Sequence, residues 1–462
     1  RQDVGLQVLP LCGPGPAYPA VSGALQEESL IMTFQDLFKK SALELFPNQI
    51  DPLTLILTLV IAFLVGMGIF WVYRKSFIGV VYDHALNLSL VIMTLLVAVI
   101  GPICGTLADH RGFKKPIFMA CMLLGVLGCA AMGVTAGWLA FLVVFVLAKV
   151  GYSSSLVFYD AMLPEVTTDE RMDTVSSMGY AYGYIGSVIP FILCLLLVLF
   201  GDKIGIGAGT AMVVSFLITA VWWFVCTQPL LKRYRQTAFV EHTGSPVFST
   251  FRQLGRTFRE VRQQKHIFLY LLAFFFFIDG VYTIIDMATA YGTALGLDTT
   301  GLLLALLLTQ FVAFPCSIAF GRFSAKYDTG LLIKICILCY TGITLFAVFL
   351  VSQWQFWVLA VLVGMFQGGI QALSRSYLGK IIPAERSGEY FGLMDICGKG
   401  ASFLGTTLIA MVSQFTDGQS FHVFGLELQN ENIAVGTLVV IFAIGFVLFC
   451  KADRLNKQYI HI

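Results

Sequence analysis

Apolar runs close to twenty residues long recur along this chain, and they constrain the fold more than any other feature of it. A helix of about twenty residues rises about 30 Å, the thickness of the hydrocarbon core of a bilayer. In lipid every backbone polar group must find a partner within the protein, which leaves helices or closed barrels. A barrel needs segments of about ten residues with alternating polarity, and the runs here are longer and uniformly apolar. Twelve candidate spans can be drawn, near 53–73, 86–107, 117–136, 138–161, 175–200, 207–228, 267–290, 301–320, 331–351, 354–376, 389–414 and 433–450. Only 12% of the residues are charged, against about 25% in soluble domains. The expected class is an all-α membrane protein with twelve transmembrane helices.

Charge placement tests that count. With both termini in the cytoplasm, the cytoplasmic tails and loops, together with the span end at Arg375, hold 23 of the 29 Lys and Arg. Arg74, Lys75 and Lys203 fall on the other side, and Lys149, Lys334 and Lys399 fall inside spans. This is the asymmetry of the positive-inside rule, and a miscount by one span would scramble it. The expected location is a bacterial plasma membrane, crossed many times.

A basic segment divides the spans six and six. Residues 229–266 carry Lys232, Arg233, Arg235, Arg252, Arg256, Arg259, Arg262 and Lys265. Residues 251–265 read as a helix lying on anionic headgroups, with Phe251, Leu254, Phe258 and Val261 on one stripe. The halves also repeat weakly. An offset of 219 places Ser155 on Ser374, Pro164 on Pro383, Gly179 on Gly398 and Gly186 on Gly405. The expected organisation is an N-terminal tail over 1–52, partly disordered around its Gly/Pro-rich stretch, a six-helix bundle over 53–228, the linker 229–266, a second bundle over 267–450 and a cytoplasmic tail over 451–462. Two parallel six-helix repeats are the architecture of the major facilitator superfamily.

The sharpest motif lies between the second and third spans: Gly105-Thr-Leu-Ala-Asp109-His-Arg111-Gly112-Phe-Lys114-Lys115. It resembles the cytoplasmic signature of that superfamily. Gly112 would turn the loop, and Asp109 at a helix end can pair with bases or with the positive end of a neighbouring helix. Such a contact would hold a cytoplasmic gate closed in one state and break in the other. Arg171, at the start of the fifth span, is grouped with this gate. The equivalent loop of the second half, Gly321 to Lys326, lacks the Asp. In the fifth span, Gly179, Gly183 and Gly186 have the spacing of a small-residue packing face.

Ionisable groups within spans are expensive and point to function. They are Lys149, Asp160 at the end of the fourth span, Asp279, Asp286, Lys334, Asp395 and Lys399. Asp279 and Asp286 are seven apart and share a helix face, as do Gln367 and Gln371, four apart. In the major facilitator fold the first, fourth, seventh and tenth spans line a central cavity, so Lys149, Asp279, Asp286, Gln367 and Gln371 are expected to converge there. Lys149 and one of the two aspartates would form a pair that handles substrate or a coupling proton; a structural ion pair is the alternative. Asp395 and Lys399, four apart, are expected to neutralise each other along one helix. Lys334 is expected to snorkel to the interface.

Other functions are disfavoured. Gly398-Lys399-Gly400 lacks the spacing and hydroxyl of a P-loop, and no HExxH, zinc-ligand spacing or G-x-S-x-G elbow occurs. Cys336 and Cys339, inside a span, read as ordinary packing. No cofactor, metal, ATP or nucleic-acid partner is expected, and the net charge of +2 gives no electrostatic case for nucleic acid.

Several segments resemble one branch of the superfamily, the autophagy-related vacuole-effluxer-like family. They are Gly101 to Pro116, Val157 to Pro164, Met178 to Gly186, Phe277-Ile-Asp279-Gly280, and Gly368-Gly-Ile-Gln371-Ala-Leu-Ser374-Arg375-Ser376 continuing through Pro383, Glu389 to Gly392 and Gly398-Lys399 to Gly405. The similarity covers roughly 86–450. It implies twelve spans and, from the fungal members, export of amino acids, with a small polar solute moved by alternating access and protons as a candidate coupling ion. Residues 1–75 lack the W-x-x-Y-D-x-x-N-S-A pattern with which the family opens. A non-transporting receptor on the same fold is the second reading; ligand binding without flux would mark it.

Overall fold

The computed structural model describes residues 100–241, 256–257, 259–416, 421–423, 426–428 and 430–460, except for the side chains of 399–403, 421–428 and 460. The expected tail 1–52, first span, start of the second span and most of the linker lie outside the described residues. Within them the long helices are α1 (100–108), α2 (Lys114–Met132), α3 (Trp138–Ala161), α4 (Asp169–Phe200), α5 (Ala208–Arg233), α6 (Lys265–Ala294), α7 (Thr299–Phe323), α8 (Thr329–Val348), α9 (Gln353–Ile381), α10 (Ser387–Phe415) and α11 (Leu438–Ile460). They follow, in order, the second to twelfth expected spans. A short two-stranded antiparallel ribbon, β1 (Phe421–Val423) and β2 (Leu426–Leu428), is added to this helical fold between α10 and α11.

Among the described residues nine helices are long and apolar enough to cross a membrane. Side chains fix several helix starts. Asp298 accepts from Gly301 N at 2.7 Å, Asp328 accepts from Leu331 N at 3.1 Å, and Ser352 and Gln355 form a capping box at α9. Each satisfies backbone donors that a helix start would otherwise leave open.

In the N-terminal half α2 packs on α3 and α5; in the C-terminal half α6 packs on α10 and α11, and α8 on α9 and α11. The largest core lies in the C-terminal half, around Tyr270, Phe277, Tyr340, Phe442 and Phe449. Cys336 is buried there, and it and Cys339 are free thiols. Between the halves α4 lies against α7 and α9, and α3 against α10.

Four local expectations change. Gly183 and Gly186 have open space where a Cβ would stand, so they are not a packing seam; the close approach is made in α9, where a Cβ on Gly364 would lie 2.8 Å from Thr309 O and one on Gly368 would collide with Ser317 Oγ. Residues 451–460 continue α11 rather than forming a tail. Asp453 in that continuation accepts from Lys334 Nζ at 2.5 Å, so Lys334 is ion-paired within its own half instead of snorkelling. Near the linker's end, Thr257 is fully buried and Val261 packs into the C-terminal core, so that end rests on protein.

Candidate gate and solute site

The signature loop closes one end of the interface between the halves. Asp109 follows the last turn of α1 and is completely buried. It accepts from Gly388 N at 2.8 Å and Glu389 N at 2.9 Å, in the first turn of α10. A carboxylate there meets open donors and the positive end of the helix dipole. Lys114, also fully buried, lies 3.3 Å from Asp109 and donates to Glu165 at 2.5 Å and Ser387 at 2.8 Å. Burial outweighs the Lys114 charge and the two backbone donors, and pushes the Asp109 carboxyl up to about 7.

Gly105 belongs to the same contact. A Cβ on it would collide with Gly388 O, and one on Gly388 would lie 2.5 Å from Gly105 O and 2.7 Å from Asp109. Gly112, with φ of +80°, makes the turn expected of it, and its N–H donates to Gln236 at 2.9 Å. Arg111 is exposed and lies over the Phe239 ring; Lys115 is half-buried; Arg171 is exposed at the start of α4. Those three bases sit outside the buried cluster.

The linker grips the gate from both ends. Val240 N donates to Asp109 O at 2.9 Å, and Glu165 accepts from Tyr234 Oη at 3.0 Å and Thr237 N at 2.9 Å. Burial, with the Glu165 charge, raises the Tyr234 hydroxyl above its usual range. At the other end Arg386, two residues before Gly388, donates to Glu260 at 2.7 Å and to Thr257. Its hydrogen bond holds the Glu260 carboxyl below its usual range.

Deeper between the halves are two further clusters. Asp173 of α4 accepts from Ser376 Oγ at 2.5 Å and Lys380 Nζ at 2.6 Å in α9, and from Thr329 Oγ1 at 2.6 Å at the start of α8. Arg375 of α9 donates to Asp160 of α3 at 2.9 Å and to Ser176 Oγ and O of α4 at 2.9 and 3.2 Å. Its guanidinium lies 5.2 Å from the Tyr159 ring centre and 5.0 Å from that of Tyr180. Beyond them Tyr184 Oη donates to Gln371 at 2.8 Å, and Gln367 lies within hydrogen-bonding reach of the same tyrosine.

The expected cavity residues therefore divide into groups. Gln367 and Gln371 do meet, on Tyr184 of α4. Asp279 is fully buried within the C-terminal half, accepting from Gly405 N at 2.9 Å and Thr283 Oγ1 at 3.4 Å, and among the described residues its other oxygen has no hydrogen-bond partner. Asp286 is exposed. The two share a helix face as expected, but α10 covers that face at Asp279 and leaves it open at Asp286. Lys149, half-buried, lies 5.3 Å from the Tyr152 ring centre, and its charge reaches Asp286 across the interface between the halves. Asp395 is half-buried in α10; the Lys399 side chain lies outside the described residues, and with it their expected pairing.

The sequence reading passed over Arg375, Asp173 and Glu165 as site residues. Arg375 carried a signal: it continues the four-residue spacing of Gln367 and Gln371 onto one helix face. Glu165 and Asp173 flank a loop, where a charge reads as solvated until the opposite half is seen to cover it.

The sequence matches the family described as "Vacuole effluxer Atg22 like" over residues 77–428. It is 39% identical, over 79% of this chain and 83% of the relative, to an uncharacterized MFS-type transporter, YxiO, of Bacillus subtilis. It is 26% identical to autophagy-related protein 22-1 of Aspergillus fumigatus, over 52% of this chain and 43% of that protein. Among solved structures it resembles the outward conformation of FucP, a major facilitator transporter, with a TM-score of 0.57 at 14% identity over 82% of this chain and 91% of that one. It also resembles a bacterial homologue of the iron transporter ferroportin in its outward-facing state, with a TM-score of 0.55 at 14% identity over 80% and 90% of the two chains.

Proposed function

The chain belongs to the vacuole effluxer Atg22-like family of major facilitator transporters, and from that premise we propose that it exports small polar solutes, amino acids foremost, by alternating access. The observation that carries this reading is the asymmetry of the interface between the halves. One end is sealed by Asp109, Lys114, Asp173 and Arg375, each bonded across it. Away from that seal, Lys149 and Asp286 stand on opposite halves as a cation and an anion within electrostatic reach. A zwitterion offers each the group it lacks: a carboxylate for Lys149 and an ammonium for Asp286. A solute that binds both halves favours the state in which they close around it.

The positive-inside rule supports a cytoplasmic position for the sealed end, with both termini on that side. Protons are the coupling ion we favour, and Asp279 is their candidate carrier, a carboxyl buried in a spanning helix with one oxygen that has no hydrogen-bond partner among the described residues. The test is counterflow of labelled amino acids in proteoliposomes, wild type beside Asp286→Asn and Lys149→Ala. Flux in the wild type, lost in both folded variants, is the expected outcome. Wild-type protein that binds amino acids without flux would replace the transporter with a receptor.

A further inference from the structure

The cation that locks the middle of the seal rests on a carboxylate that solvent can still reach. Arg375 is 4% exposed, whereas Asp160, its partner across the halves, is 30% exposed. Lys149, Leu156 and Asp160 fall on one stripe of α3, since seven and eleven residues are close to whole numbers of turns. Tyr152 lies within reach of the charges of both Asp286 and Asp160, and Tyr282 within reach of Asp160 and Asp395. Tyr152, which also lies under the Lys149 ammonium, is thus common to the Lys149 and Asp286 level and to the Asp160 level. The eleven residues between Lys149 and Asp160 span about 16 Å of helix, more than one small solute bridges, so the two levels are separate stations.

We propose that Asp160 is an inner binding site for the solute's cationic amine, and that the amine binds by taking Asp160 from Arg375. This deepens the proposed function and rests on its reading of the solute as an amine. The exchange strands neither charge. Asp160 gains an ammonium in place of a guanidinium. Arg375 keeps two hydrogen bonds to Ser176 and the faces of Tyr159 and Tyr180, and aromatic faces stabilise a partly desolvated cation. What remains between Arg375 and the N-terminal half is then neutral, and neutral contacts part more readily than a buried ion pair. Asp173, 5% exposed beneath Ser376 and Lys380, is closed to the solute. The seal therefore has one lock that a solute can open and others that follow it.

The test uses the full chain in proteoliposomes with its native cysteines replaced and the pair Ser177→Cys and Gly321→Cys introduced. A Cβ at 321 lies 3.0 Å from that of Ser177, across α4 and α7, so the pair cross-links when the seal is closed. The probes are a mixture of the proteinogenic amino acids and a matched mixture of 2-hydroxy acids, in which a hydroxyl replaces the amine. The amino acids are expected to slow cross-linking by about fivefold or more, the range of ordinary allosteric coupling, and the hydroxy acids to leave it unchanged. Asp160→Glu should keep the response and Asp160→Asn should lose it. Equal slowing by hydroxy acids, or full slowing in Asp160→Asn, would overturn the proposal. Counterflow on the same samples separates the two readings. Amine-independent slowing with flux overturns the Asp160 site alone, whereas amine-dependent slowing without flux supports it and overturns transport.

Discussion

At the scale of single residues, the signature-loop end of the seal depends on charges that have no access to water. Lys114 is the cation shared by Asp109 and Glu165, with both carboxyl groups and the lysine fully buried. Lys114→Met should leave two uncompensated acids and cost the closed state about 3–5 kcal/mol, the usual result of removing one partner of a buried pair. Spin labels at the exposed positions Arg171 and Lys326, one on each half, would register the shift as a longer inter-label distance. Asp109 also gives the seal a pH dependence. Its carboxyl is pushed up to about 7 in the closed seal, against about 3.9 in water. The closed state therefore binds a proton more readily than a state in which Asp109 is solvated. Closure is favoured as pH falls through about 7 and gains nothing further below about 4. The labelled pair should shift toward the short distance over that window, and Asp109→Asn should flatten the response. Asp109 was legible in the sequence because the whole signature surrounds it. Asp160 stood out as an ionisable group at the end of a span, but its partner Arg375 did not, because a charge at the end of an apolar run is ordinarily attributed to the interface; only the packing of the two halves makes them a pair.

At the scale of elements, apolar length gave the helices, but it could not give their close approaches. Ten of the expected spans have both ends described, and their boundaries fall within about five residues of the observed helices, with two exceptions. α4 starts at Asp169, before the apolar run, and near that start Met172 and Asp173 already reach the opposite half. α11 runs on to Ile460, because Asp453 is bonded to Lys334 and Tyr377. Glycine spacing misled in the fifth span for a related reason: a small-residue pattern marks where helices could touch, and α4 at Gly183 and Gly186 faces open space. Alanine at either position should be tolerated and, by removing chain entropy from the unfolded state, stabilise by up to about 1 kcal/mol. Gly105→Ala should behave in the opposite way. Its methyl group would meet Gly388 O, backbone that cannot swing aside, so the seal cannot close over it. Thermal unfolding of the three variants, with the distance between the same two labels, would distinguish them: Gly105→Ala should remain folded and stay open.

At the scale of the whole molecule, the ion pairs fall into two kinds that the sequence alone could not separate. Some join residues of one half, as Lys334 and Asp453 do; others join opposite halves, as Lys380 and Asp173 do. In both, the anion is almost fully buried and the lysine about a quarter exposed. Their consequences differ because alternating access moves the halves largely as rigid bodies. A pair inside one half is present in every transport state and contributes equally to all of them. A pair between halves exists only while its end is sealed and so contributes only to that state. Asp453→Asn should therefore lower the unfolding temperature and leave the distribution of distances across the seal unchanged. Asp173→Asn should broaden that distribution toward open states with a smaller change in unfolding temperature, because an open state with the substituted amide in water is still folded. Measuring both quantities on both variants tests the rigid-body premise directly. If Asp453→Asn opened the seal as far as Asp173→Asn does, the C-terminal half would have to deform during closure, and the seal would be governed by the packing of α8 and α11 as much as by the contacts between the halves.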